Sequence, residues 1–298
     1  MPSWSELEQF LVSGLALGGV YALSGVGLVV LYRATGVLYL AFGAVGALGA
    51  FLAYEMLQAS APQWAAWIVC ILFGGLVTLL YGMIFGPALA GRDPLVRAVA
   101  TLGLTLILFG AMELLWPPTS GATRAISLPT DNGGFTVFGL QVTWTQVIAL
   151  GSGVVLTIGT GWFLRYTKLG TAMRAMANDR VITATLGVPV RRVEAAAWFG
   201  CGILAGFAGL LLADLVQLEP ATLTFLVISS LAAALIGQLR SIAMTFAAGI
   251  VIGVIHDLLT PFSALTNYRD MTPFVLAVIA LLWASRHRTV VTRSREEA

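Results

Sequence analysis

Lysine occurs once in this 298-residue chain, as Lys168; histidine and cysteine occur twice each, and only 10% of residues are charged. Each scarcity excludes a class of chemistry. A phosphate-cradling Gly-rich loop ends in Gly-Lys-Ser/Thr, whereas Lys168 is followed by Leu169, so any nucleotide must be hydrolysed by another chain. His256 and His287 are poor material for a zinc site or an activated nucleophile, which argues against a membrane enzyme and leaves this chain with no cofactor or metal of its own. Cys70 and Cys201 lie inside apolar runs, where they read as small buried hydrophobes and not as a disulfide framework.

What the chain has in abundance is apolar surface: 58% of its residues are hydrophobic and the mean hydropathy is +0.92, outside the range of water-soluble domains. No charge interrupts Gln9 to Tyr32, Ala34 to Tyr54, Met56 to Gly91, Ala195 to Ala213 or Pro220 to Leu239. A bilayer core of about 30 Å takes about 20 helical residues, so these runs are long enough to cross it. They are apolar on every face, which favours helices over the alternating strands of a barrel. The fold class expected is an all-α integral membrane protein, one polytopic bundle of about 8–10 transmembrane helices over residues 1–298.

Nine spans are expected, near residues 10–32, 36–56, 64–90, 96–116, 144–164, 195–214, 222–238, 241–257 and 271–285, with 222–257 open to a different count. Glu6 and Glu8 precede the first run with no Lys or Arg, so it lacks the basic lead of a cleavable signal and is expected to stay. Placing the amino end outside puts every basic residue except Arg124 and Arg269 on the inner side, which predicts a multi-pass protein of a bacterial inner membrane with a cytoplasmic tail.

Two loops are long. Residues 117–143, rich in Gly, Pro, Thr and Asp, form the outer loop. The inner loop, residues 165–194, is too polar to span, and its apolar spacing predicts a short amphipathic helix ended by Gly187 and Pro189. Such a helix serves as a lipid-surface anchor or as a docking element for another protein. The small residues Ala175, Ala177, Ala184 and Gly187 favour close protein contact, Arg174 adds charge, and Asn178 and Asp179 can cap or brace the helix.

Within the spans, glycine and alanine recur at helical spacing, as at Gly14, Gly18, Ala22 and Gly25, Gly202, Gly206 and Gly209, and Gly249 and Gly253. Plain helix packing in lipid accounts for most of these stripes. Tyr21, Thr35, Tyr39 and Glu113 are polar groups set in otherwise apolar helices, so they are candidates for a solute route, with a structural role as the alternative. The acids Glu55, Glu113, Asp214 and Asp257 fall near expected outer ends of spans. They are interfacial carboxylates or the wall of an acidic vestibule that meets a cationic group.

Four stretches resemble the LivH-type permeases of branched-chain amino acid ABC importers: Gly14 to Gly43, Gly91 to Leu108, Leu169 to Val193, and Asn267 to Trp283. The third is similar to the cytoplasmic coupling loop that docks on the ATPase subunit, which would assign that contact to Arg174, Ala175, Ala177, Asn178, Asp179, Ala184 and Gly187. The resemblance implies the ABC importer permease fold and alternating access. It also implies an assembly with a second permease chain, a related paralogue, two ATPase subunits that bind ATP and Mg, and an extracytoplasmic solute-binding protein, all within membrane lipid and without nucleic acid. Departures occur where Tyr39 to Gly43 replaces a more polar family segment, and at IGQLRSI (Ile236 to Ile242), where Gln238 and Arg240 stand in place of expected glycines. Urea, short amides and other small polar solutes are therefore alternatives to branched-chain amino acids, and a stand-alone channel is the alternative class.

Overall fold

The computed structural model describes residues 4–89, 91–117, 124, 126, 134–137, 140–225, 227–262, 269, 271–280 and 282. Its helices are α1 (Trp4–Thr35), α2 (Phe42–Gln58), α3 (Gln63–Leu89), α4 (Pro94–Leu115), α5 (Trp144–Tyr166), α6 (Lys168–Asn178), α7 (Arg180–Thr185), α8 (Val190–Leu215), α9 (Pro220–Phe225), α10 (Val227–Ile236) and α11 (Ile242–Leu258). A further helical stretch covers residues 272–280. Among the described residues, α1, α3, α4, α5 and α8 are long and apolar enough to cross a membrane. The apolar helices α2 and α11 have 17 residues each, about 26 Å at the helical rise and near the lower limit for a span. The tail from Arg286, and parts of the expected outer loop and last span, lie outside the described residues.

Helices α1 and α8 form the centre. The most apolar stretch of α1 is 89% buried and that of α8 61%, against 28% or less in α3, α4 and α5. α1 packs on α11, α5, α8 and α10, while α8 packs on α3 and α2. Lipid offers little apolar drive for these contacts, so they rest on van der Waals fit. The glycine stripes provide it: a Cβ added at Gly18 would lie 2.8 Å from Ile250 Cα of α11, and Gly253 meets Gly18 in return. Gly46 of α2 faces Gly209 of α8, and Gly74 of α3 faces Gly202.

Three local departures from the expected pattern have clear causes. The expected span 36–56 starts at Phe42, because Gly36, at φ 67°, ends α1 by donating its N–H to Tyr32 O at 2.7 Å, and residues 36–41 then run without helix. The loop 117–143, expected without secondary structure, contains an antiparallel hairpin, β1 (Gly134–Val137) with β2 (Leu140–Thr143). Its last residue, Thr143, caps α5: its hydroxyl accepts from Gln146 N at 3.3 Å, and Gln146 Oε1 accepts from Thr143 N at 3.2 Å. The IGQLRSI segment turns between α10 and α11 with Gln238 and Leu239 both at φ 54°, a conformation glycine takes more readily. Of these two, Gln238 is a position where the family resemblance expects glycine; the other expected glycine position, Arg240, is not among the residues with positive φ.

The glycine contacts give a direct test. Gly253→Ala should lower the unfolding midpoint of the purified chain by an amount equivalent to about 1–3 kcal/mol, because the added methyl meets the backbone of α1. Gly159→Ala, where a Cβ meets nothing within 4 Å, should be neutral or gain up to about 1 kcal/mol of helix propensity. Equal midpoints for the two variants would reject the crossing as the determinant.

Candidate functional site

The inner loop forms two short helices where one was expected. Asp179 is extended, at φ −153° and ψ 113°, and its carboxylate accepts from Ile182 N at 2.9 Å, so it ends α6 and starts α7. Aspartate competes with the backbone for hydrogen bonds, which disfavours it inside a helix and favours it at this cap. Thr167 caps α6 in the same way, accepting from Gly170 N at 3.0 Å. Beyond α7, Gly187 at φ 81° makes the exit turn, with its N–H donating to Ala184 O at 3.0 Å.

Met173 and Met176 are buried beneath α6, and Gly170 lies against the backbone of Leu164, which fixes the pair to the bundle. Arg174, Ala175, Ala177, Asn178, Asp179, Ala184 and Gly187 are all exposed. The structure thus brings the seven expected docking residues to one outward segment. It adds a feature the sequence reading missed: Val181, Ile182 and Leu186 are exposed at 73%, 58% and 77%. The signal was present as apolar residues flanking Ala184, but without the break at Asp179 their direction was not legible.

Beside this segment lies a cavity of about 710 Å³ where the ends of several elements meet. Arg33 from α1, Arg97 from α4, Arg174 and Arg180 from α6 and α7, and Arg240 from the turn before α11 line it, together with Thr35. The sequence placed these arginines on one side of the membrane, and the fold gathers them at one end. The non-helical backbone at 36–41 is held here too. Leu40 N donates to the Thr101 hydroxyl at 3.1 Å, that hydroxyl lies 3.0 Å from Leu38 O, and Arg97 donates to Thr35 O at 3.4 Å.

The four route candidates do not share one chamber. Thr35 lines the arginine cavity, its hydroxyl donating to Leu31 O at 2.8 Å. Tyr39 is buried against α3 and α8, its hydroxyl 3.3 Å from that of Thr78 and its ring edge-on to Trp198 at 5.3 Å. Tyr21 lies about 21 Å up α1 from Thr35 by helical rise, its ring edge-on to His256 of α11 at 6.3 Å. Glu113 is partly buried in the last turns of α4. The acids mark the end opposite the arginines: Glu55 accepts from Trp116 Nε1 at 2.7 Å, and Asp257 Oδ1 lies 3.5 Å from His256 Nδ1. Among the described residues no cluster of three His, Cys, Asp or Glu side chains is placed to hold a metal ion.

Compared with known proteins, residues 10–281 match the family described as branched-chain amino acid transport system / permease component. The probable branched-chain amino acid transport permease protein LivH of Methanocaldococcus jannaschii is 27% identical over 264 residues, spanning 86% of this chain and 82% of that protein. The high-affinity branched-chain amino acid transport system permease protein LivH of Escherichia coli K12 is 25% identical, spanning 92% of this chain and 94% of its own. BraD, the corresponding permease protein of Pseudomonas aeruginosa, is 25% identical and spans 95% of both. Among solved structures, PsaBC from Streptococcus pneumoniae in complex with Fab aligns with a TM-score of 0.50 and 14% identity, covering 92% of this chain and 90% of that one, a likeness of fold alone.

The buried pair at Tyr39 is open to a double-mutant cycle. Tyr39→Phe and Thr78→Val should each cost about 0.5–1.5 kcal/mol of stability, and the double variant less than their sum, because either change alone leaves the other hydroxyl without its partner. Additive losses would show that the two hydroxyls do not interact.

Proposed function

The chain belongs to the family of permease components of branched-chain amino acid transport systems, and from that premise we propose that it forms the membrane path of an ATP-driven importer for branched-chain or similar hydrophobic amino acids. The observation that carries the energetic part is the exposed α6–α7 segment: small residues, a capped break at Asp179 and an outward apolar cluster, on a chain with no nucleotide loop of its own. In this reading Val181, Ile182, Ala184 and Leu186 enter a groove on an ATPase subunit, while buried Met173 and Met176 carry the displacement into α5 and α1. ATP and Mg are bound by that partner and none by this chain. The assembly has two permease chains, two ATPase chains and an extracytoplasmic solute-binding protein that delivers the amino acid.

The arginine-rich end faces the cytoplasm, and the acid-bearing end, with the amino terminus, faces out. Rigid-body closure of the ATPase pair opens and closes the route between permease chains. Tyr21, Thr35, Tyr39 and Glu113 lie at different depths along such a route, with Glu113 at its outer mouth, where an ammonium group arrives.

Two measurements test this reading. In vesicles holding the full complex, Ala184→Trp should lower leucine uptake and solute-stimulated ATP hydrolysis together, by about tenfold or more, since overfilling a close contact costs about 1–3 kcal/mol. Neutralising the exposed Arg191 and Arg192 should leave both largely intact. The opposite pattern, full coupling in Ala184→Trp and loss in the neutralised variant, identifies a lipid-surface helix and ends the docking reading. For orientation, single cysteines at Ser60, in the turn between α2 and α3, and at Thr185 should label from opposite sides of the membrane. Labelling from one side would reject the topology.

A further inference from the structure

The arginine cavity takes in the route candidate Thr35 and the docking residues Arg174, Ala177 and Asn178, but neither role accounts for the charge gathered there. Five guanidinium groups from four separate parts of the chain face one space, and none of its lining residues is Asp or Glu. Arg180 pairs with Glu194 at 2.7 Å, and that same carboxylate also attracts Arg97. Further contacts are to neutral groups: Arg33 to Arg240 O at 3.4 Å, Arg97 to Thr35 O at 3.4 Å, and Arg174 to Arg165 O at 3.2 Å and to the Thr171 hydroxyl at 3.4 Å. Most are at the long limit of a hydrogen bond. Arg33 and Arg174 are close enough to repel, and the Arg97 Nε is buried with no partner among the described residues. Among the described residues Glu194 is the one carboxylate paired with these five guanidinium groups, too little to compensate them, and a buried charged donor left unsatisfied is costly.

We infer that this cavity binds a phosphate-bearing anion, supplied as the headgroup of an anionic lipid or as a soluble phosphate compound, through Arg33, Arg97, Arg174 and Arg240. Three features select phosphate over a single carboxylate. Planar guanidinium forks suit phosphate oxygens, and a phosphate offers more acceptors and more charge to several arginines at once. The volume of about 710 Å³ exceeds that of a lone ion and lies in the range of small-molecule sites, about 300–1,000 Å³. The lining also comes from the ends of α1 and α4 and the turn before α11; of the docking segment it includes Arg174, Ala177 and Asn178, whereas the outward apolar cluster Val181, Ile182, Ala184 and Leu186 is not part of it. An anion here removes the Arg33–Arg174 repulsion and braces α6 against α1 and α4.

The inference does not require the ATPase, so it is tested on the full-length chain alone in phosphatidylcholine nanodiscs. Thermal unfolding is followed with pyrophosphate against chloride at matched ionic strength, and separately with phosphatidylglycerol in the nanodisc. Binding to the native state should raise the midpoint by a few degrees. The concentration for half effect should rise about tenfold in Arg97→Gln and in Arg174→Gln, and stay unchanged when exposed Arg191 and Arg192, outside the cavity, are both changed to Gln. Arg240→Gln, on an exposed turn, gives the same reading should Arg97→Gln fail to fold. A response to pyrophosphate identifies a soluble source, and a response to phosphatidylglycerol alone a lipid. No midpoint shift with either probe, equal shifts in cavity and control variants, or stabilisation only on adding the ATPase chain would overturn the site. Each of these results is independent of uptake, so failure here leaves the transport reading standing.

Discussion

Close backbone approach through glycine is the constraint on which the rest of this structure depends. In lipid, a leucine gains little by turning inward, so helices are held where their backbones come near enough for dispersion and fit. The Gly18–Gly253 contact sets α11 on α1, and the Gly46–Gly209 and Gly74–Gly202 contacts set α2 and α3 on α8. With α1 and α8 so enclosed, the faces left outward on α3, α4 and α5 are apolar, as at Leu80, Leu106 and Ile158. These faces suit lipid or a second permease chain.

The arginines gather at one end and Glu55 and Asp257 lie at the other, while the hydroxyls of Tyr39 and Thr78 pair inside the bundle. At one end, the non-helical 36–41 segment would leave backbone groups unsatisfied were it not for Thr101 and Arg97 of α4. Non-helical backbone near a membrane survives where protein covers it. That same convergence of α1, α4, α6 and the turn before α11 brings the arginines together. The charge cavity is thus a consequence of how the irregular segment is covered, and α6 shares both neighbours. Buried Met173 and Met176 fix α6 against α5 and α1.

At the other end, Trp116 donates to Glu55 and lies tilted against the Phe51 ring at 5.1 Å, while Arg124 donates to Trp116 O at 3.2 Å and its own carbonyl accepts from Leu218 N at 3.1 Å. Trp116 is thereby tied to α2, and Arg124 to the end of α4 and to the segment after α8. Interfacial tryptophan and arginine do here what glycine does in the middle, since water is near enough to tolerate polar contacts that the bilayer centre would not.

The membrane class, the helix positions and the packing stripes were legible in the sequence, because charge-free runs, helical spacing and the distribution of arginines are one-dimensional signals that lipid forces on a chain. The inner-loop helix and its end at Gly187 were legible as well, but not its division in two, which the Asp179 carboxylate makes by capping α7. What only the tertiary structure decided were the relations between distant residues. Nothing in the spacing of Arg33, Arg97, Arg174, Arg180 and Arg240 says that they share a cavity, nor that Tyr39 meets Thr78 while Tyr21 meets His256. Those pairings follow from which helix crosses which and at what height. The crossings are set by shape complementarity between backbones, which the order of residues along one helix does not contain.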